Sequence, residues 1–188
     1  AGCRPPIGAG EPVGRPRAPT GGGAPAPRDR PVDEARTSIT DVPGVLVGHA
    51  TDLAAGTGCT VVLFEGHAIG GVDVGGGGAS LRQADALRPG VRGGAVHGIL
   101  LTGGSSFGHG AADGCLRFLE ERGRGNAASV ARVPRVPSAV LFDLAVGRRD
   151  RRPDAAMGYA ACAAATGGPV EEGNVGAGTG CSVAKRLG

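Results

Sequence analysis

The chain has 188 residues, a formal net charge of +3 and 38 glycines. That length suits one domain with a sizeable core, and the glycines follow no triplet period, which excludes a collagen-like chain. The arginines cluster at Arg148, Arg149, Arg151 and Arg152 with no aromatic platform among them, so a nucleic-acid partner has only generic electrostatics behind it and is not expected.

Residues 1–36 differ from everything that follows. Eight of the fourteen prolines lie here, mixed with Gly, Ala and Arg. A segment without apolar periodicity cannot bury enough surface to offset its ordering entropy. It is expected to be disordered or vector-derived, and residues 37–188 form the domain. With four Phe, one Tyr and no Trp, the core must come from Val, Leu, Ile and Ala.

In chain order, Asp41-Val42-Pro43-Gly44 reads as a turn and Val45–His49 as a strand. Cys59–Phe64 is a second strand and Ala68–Val74 a third, joined as antiparallel hairpins. Gly75–Ala79 is a loop, and Ser80–Leu87 fits a short helix ended by Pro89-Gly90. Ala95–Leu101 is a short apolar run, consistent with a buried strand. Ala111–Arg122 carries an apolar face with Glu120 and Glu121 outside, an amphipathic helix. Val140–Val146 reads as a strand, and the Ala-rich Ala155–Ala165 as a closely packed helix stopped by Gly167-Gly168-Pro169. The fold class is α/β, in the layered α+β sense.

Cys3, Cys59, Cys115, Cys162 and Cys181 form no CxxC pair, so neither a zinc site nor a disulfide framework is expected. Four of them sit among small or apolar neighbours, as buried thiols of a cytoplasmic protein do. No run approaches the ~18 apolar residues that span a bilayer, and no signal-peptide pattern is present. Neither a membrane partner nor a cofactor is expected.

Two glycine-rich segments stand out. Leu101–Gly108 lies between a strand and a helix, where backbone N–H groups can face a carboxylate or a developing oxyanion; a sharp turn under close packing needs the same glycines. Gly173–Gly180 has GxGxG spacing rather than GxGxxG, and no GK[ST] follows, so it supports a phosphate-binding module only weakly. Its Asn174 is a candidate oxyanion donor, because a side-chain amide can donate to a tetrahedral oxyanion; it also fits a plain turn residue. His49, His67, His97 and His109 have no metal-ligand spacing and no neighbouring carboxylate; His109, just past the glycine loop, could touch a ligand but better fits a solvated or capping role. Asp41, Asp73, Asp113 and Asp143 suggest caps and turns.

Together, Ile39–Gly44, Val47–Asp52, Thr57–Val62, Leu101–Gly108, Ala111–Gly114, Phe118–Gly123, Val140–Leu144 and Gly173–Gly180 resemble the P1 aminopeptidase family, the L-aminopeptidase/D-esterase group of self-cleaving N-terminal-nucleophile hydrolases. The resemblance implies an αββα sandwich, here the α-chain part of it. It also implies a precursor that cuts itself, freeing a Ser or Thr that attacks the substrate carbonyl while its own α-amine serves as base. The implied partners are short peptides, amino-acid amides or esters, its own β-chain segment and further copies of itself. Asn174 is then the expected oxyanion donor, with the Gly104 and Ser105 N–H groups in support. Gly103, Gly104, Ser105, Ser106, Gly176, Gly178 and Thr179 are the expected substrate-binding residues, and the two loops are expected to meet in one pocket. Phe107 and Tyr159 fall near the family's pocket without a matched role.

In the family the nucleophile follows the glycine segment after a further stretch of chain. This sequence stops at Gly188, and Thr179 and Ser182 lie too close to the motif to be that residue. The expectation is an α-type fragment, inactive alone. The alternative is a truncated, non-catalytic relative that binds a small ligand or a partner chain.

Overall fold

The structure is a computed structural model and describes residues 38–91, 94–183 and 185. The expectation for residues 1–36 lies outside the described residues. Seven strands and two α-helices are described: β1 (Val45–Asp52), β2 (Thr57–Ala68), β3 (Leu81–Arg82), β4 (Val96–Thr102), α1 (Ala111–Glu120), β5 (Asn126–Ala127), β6 (Arg132–Val133), β7 (Ser138–Val140) and α2 (Ala155–Ala163). Five strands form one sheet in the order β1-β2-β4-β7-β3, and β5 and β6 pair separately. The β4–β7 pair is parallel; every other pair is antiparallel.

Both helices cover one face of the large sheet. Strand alternation sends Cys59, Val61, Leu63 and Leu100 to that face, where they join Ala111, Ala112, Cys115, Phe118, Leu119, Ala161 and Cys162 in a single buried cluster. The layers approach closely because glycine and alanine line the contacts. A Cβ on Gly48 of β1 would overlap the Ala161 carbonyl oxygen of α2. The two helices cross through a reciprocal pair: a Cβ on Gly114 would overlap the Ala155 carbonyl oxygen, and one on Gly158 that of Ala111. Beside this crossing, Phe118 and Tyr159 meet edge to face, with centroids 5.4 Å apart.

After α2 the chain returns to the free edge of β1. The Val47 N–H donates to the Thr166 carbonyl (2.9 Å), and the Thr166 N–H donates back to Val47 (3.0 Å). That tether delivers residues 173–180 to the helix-free face of the sheet.

Three sequence expectations are corrected. Ala68–Val74 is not a strand: β2 runs on to Ala68, pairs with β4, and leaves Ile69 88% exposed. Ser80–Leu87 is not one helix. Gln83 takes a left-handed conformation (φ +58°), which separates β3 from a 3-10 turn at Ala84–Leu87, while its side chain accepts from the Val136 N–H (3.0 Å). The strand expected at Val140–Val146 ends at Val140, because the next residues leave the sheet to bring Asp143 under the first glycine loop.

Candidate active site

The first glycine loop follows β4 and is held from three sides. The Gly103 N–H donates to the Gly58 carbonyl (2.9 Å), and the Leu141 N–H to the Thr102 carbonyl (2.8 Å). Beneath the loop lies Asp143, 2% exposed. One of its oxygens accepts from the Gly104 N–H (2.7 Å) and the other from the Thr57 hydroxyl (2.6 Å). A Cβ on Gly103 would overlap that carboxylate, so the close approach itself requires glycine. The chain then turns through two left-handed residues, Gly104 (φ +82°) and Ser105 (φ +53°). The second is uncommon for a residue bearing a Cβ. A 3-10 turn at Ser105–Gly110 leads into α1.

This geometry corrects part of the sequence reading. The Gly104 N–H belongs to Asp143, and the Ser105 N–H donates to the Leu141 carbonyl (2.9 Å). Neither is free for an oxyanion. What the loop exposes instead is side chain: Ser106 faces solvent and Ser105 is half-buried. Ser106 lies 3.1 Å from the Ser80 hydroxyl, which reaches His109 Nε2 at 3.2 Å; His109 Nδ1 meets the Ser138 hydroxyl at 2.9 Å. Burial, then Arg82, lowers the His109 pKa, which favours the neutral imidazole within this string of hydroxyls.

The second glycine segment closes over the opposite face of the sheet. Its 3-10 turn, Gly176–Gly178, rests on Thr51 of β1 and Thr60 of β2, which strand alternation turns away from the helices. The Gly176 N–H donates to Thr51 Oγ1 (2.7 Å) and the Ala177 N–H to Thr60 Oγ1 (3.0 Å). Gly176 is left-handed (φ +54°), and a Cβ there would lie 2.7 Å from His49 Nδ1. The Thr179 hydroxyl donates to the Gly176 carbonyl (2.7 Å), and the Gly178 N–H to Val175 (2.9 Å). Asn174 is exposed, and its side chain makes no hydrogen bond among the described residues.

The two loops touch at the buried Asp143, but this contact is not the shared pocket expected of them. Gly103 and Gly104 pack on its carboxylate, while a Cβ on Gly180 would come 2.9 Å from the Asp143 Cβ. The junction is edge-on, around Gly56–Gly58, with the first loop on the helix side and the second on the helix-free side. A cleft of about 550 Å³ opens on the helix side beside Thr57, between Asp52, Arg151, Arg152 and the start of α2. Neither loop contributes to its lining. Thr51, Thr57, Thr60 and Asp143 are the positioning residues that the sequence reading missed. Thr51, Thr57 and Thr60 sit in the quoted family segments, but no spacing singles them out, and Asp143 reads as a turn residue.

The other candidates take structural places. The Tyr159 hydroxyl donates to Glu121 (2.7 Å), across the helix pair. Phe107 is 63% exposed beneath the Arg152 guanidinium, 4.1 Å from its centroid. Arg148 is forked onto Asp150. Cys59, Cys115 and Cys162 are buried, whereas Cys181 is exposed, contrary to expectation. Burial pushes the Cys59 thiol up to about 12, and a hydrogen bond with Cys162 followed by burial raises Cys115; both stay protonated and unreactive. Among the described residues no cluster of His, Cys, Asp and Glu could hold a metal ion, and no helix is long and apolar enough to cross a membrane.

Comparison with known proteins adds three findings. The sequence profile of peptidase family S58 matches residues 37–188. An uncharacterized aminopeptidase of Mycobacterium tuberculosis, Rv1333, is 48% identical over 149 residues, 75% of this chain and 43% of that protein. Its counterpart ML1167 of Mycobacterium leprae is 45% identical over 158 residues, 76% of this chain and 44% of that protein. This chain therefore spans less than half the length of the relatives it matches. Among solved structures, a Burkholderia sp. β-aminopeptidase superposes with a TM-score of 0.60 at 29% identity, over 76% of this chain and 42% of that one. The L-aminopeptidase D-Ala-esterase/amidase of Ochrobactrum anthropi, described as a variant of the Ntn-hydrolase fold, gives a TM-score of 0.61 at 23% identity, over 76% and 44%. With the family profile covering the whole described domain and the same layered fold in the solved relatives, the chain belongs to peptidase family S58.

Proposed function

We propose that the full-length protein is an N-terminal-nucleophile amidohydrolase that releases the N-terminal residue from short peptides, amino-acid amides or esters. The observation that carries this reading is the division of labour across the second glycine segment. The N–H groups of Gly176, Ala177, Gly178 and Thr179 are all spent inside the chain, while the Asn174 amide is exposed and makes no hydrogen bond among the described residues. A turn that is internally saturated is rigid, and a rigid turn can hold one free donor where negative charge develops.

In this reading a Ser or Thr hydroxyl, freed by self-cleavage at the start of a β-chain segment, attacks the substrate carbonyl. Its own α-amine takes the proton. Asn174 donates to the tetrahedral oxyanion. Collapse expels the amine or alcohol, and water then releases the acyl group. For Ser105 and Ser106 to border the same substrate as Asn174, the substrate must reach over the sheet edge at Gly56–Gly58; Gly103, Gly104, Gly176, Gly178 and Thr179 hold the two loops in place. The β-chain segment packs on the helix-free face, where Val62 and Ile99 pair in register and Leu101 is 42% exposed. Further copies of the protein assemble around it. The three buried free thiols suit a cytoplasmic setting.

The test is expression of the full-length protein. Two chains on a denaturing gel, together with turnover of L-alanine p-nitroanilide, are expected, and replacing the new N-terminal Ser or Thr by Ala should abolish both. A folded, uncleaved protein without turnover would overturn the reading.

A further inference from the structure

His49 projects from β1 onto the helix-free face, directly under the second glycine segment. Its Nδ1 lies 2.9 Å from Thr60 Oγ1. The same Thr60 oxygen accepts the Ala177 N–H at 3.0 Å. Its other ring nitrogen, Nε2, is buried and has no hydrogen-bond partner among the described residues.

Thr60 Oγ1 accepts from Ala177, and His49 Nδ1 is the acceptor its own proton meets among the described residues, which favours Thr60 as the donor and the ring proton on Nε2. The order is then His49 Nδ1, Thr60 O–H, Ala177 N–H, each member holding the next. Only a neutral imidazole can accept at Nδ1, and burial lowers the His49 pKa although Glu171 opposes it. The fit is tight: Gly176 leaves no room for a Cβ between Thr60 and His49.

We propose that His49 is a positioning residue for Asn174: by orienting the Thr60 hydroxyl it fixes the Ala177 amide, and through that amide the turn on which the oxyanion donor is carried. This rests on the reading of Asn174 given above. His49 touches no reacting atom; its effect passes through Thr60. Thr51 provides the second anchor at Gly176, so loss of His49 loosens the turn without releasing it.

The experiment compares His49→Asn with His49→Leu in the full-length protein. An Asn side-chain oxygen can replace Nδ1 as acceptor for Thr60, whereas Leu fills the space and accepts nothing. His49→Leu should lower kcat on the order of 10-fold to 100-fold, as a displaced catalytic group does, with KM within about twofold. His49→Asn should recover most of that loss. In parallel, hydrogen exchange at the Ala177 amide should quicken in the Leu variant and stay near wild type in the Asn variant. Equal loss of kcat in both variants would reduce His49 to packing and overturn the proposal. So would unchanged kcat in the Leu variant, or Ala177 exchange identical in all three proteins. A wild-type protein with no turnover would sink the proposed function instead; the exchange arm would still decide whether the relay exists.

Discussion

The Thr57 hydroxyl donates a 2.6 Å hydrogen bond to Asp143, joining the start of β2 to the chain just past β7 across 86 residues of sequence. The second carboxylate oxygen accepts the Gly104 N–H, so one buried side chain ties three segments together. Asp143→Ala would leave the Thr57 hydroxyl and the Gly104 N–H buried without an acceptor. A loss of about 3 kcal/mol in unfolding free energy is expected, read from the urea midpoint. Asp143→Asn, which keeps one acceptor, should lose about half as much. A loss below about 1 kcal/mol for Asp143→Ala would show that the junction carries no structural weight.

The helix crossing makes a second prediction, opposite in sign to helix propensity. Gly→Ala inside a helix ordinarily gains roughly 1 kcal/mol. At Gly114 and Gly158 the new methyl would overlap a carbonyl oxygen of the other helix, and the helices would have to part. Gly114→Ala and Gly158→Ala should each destabilise by about 1–3 kcal/mol. Because the two contacts are reciprocal, the double variant should cost less than the sum of the singles. Thermal unfolding of the four proteins checks both the sign and the coupling.

The legible parts of the fold are those whose pattern is local. The runs Val45–His49, Cys59–Phe64 and Ala95–Leu101 lie within or nearly within β1, β2 and β4, and the apolar stripe from Ala111 to Leu119 is α1. The failures share a cause: a distant partner decides the conformation. Gln83 goes left-handed while its side chain serves Val136. Leu141 leaves the strand pattern because its N–H and carbonyl bracket the first glycine loop at Thr102 and Ser105. The candidate site divides in the same way. Both glycine segments are visible as motifs, yet nothing local reveals that Gly104 gives its N–H to Asp143, or that Gly176 and Ala177 give theirs to Thr51 and Thr60.

A third prediction concerns acid. His97 is 6% exposed, and its Nδ1 accepts the Arg135 N–H at 3.2 Å, which only the neutral ring can do. Burial, then Arg124, Arg135 and His67, lower its pKa. A histidine whose folded pKa lies below its unfolded value takes up its proton more readily in the unfolded chain. Its contribution to stability is therefore complete above the ordinary histidine pKa of about 6.5 and is lost as the pH falls toward the folded value. Stability should decline as the pH falls below neutral, and His97→Asn, which keeps an acceptor but cannot titrate, should flatten that decline. His49 and His109 are shifted in the same direction, so some slope should survive in the variant. An unchanged slope would remove His97 from the account.

The last prediction is kinetic and bears on Asn174. The residue is exposed, its side chain is unengaged among the described residues, and the turn that follows is saturated by Thr51 and Thr60; removing its amide should therefore leave the fold alone. In the full-length protein, Asn174→Ala should lower kcat on the order of 10²–10³, the usual cost of losing one oxyanion donor. KM should move by less than about twofold, because the donor matters mainly once the carbonyl oxygen carries charge. The unfolding midpoint should not change. Thr60→Val offers the contrast: it removes the acceptor of the Ala177 N–H, so it should lower both kcat and the unfolding midpoint. If Asn174→Ala and wild type turn over L-alanine p-nitroanilide at the same rate, the family activity stands and the oxyanion assignment falls. If kcat drops only in step with the midpoint, Asn174 is a turn residue, and the donor must be sought among the side chains at Ser105 and Ser106.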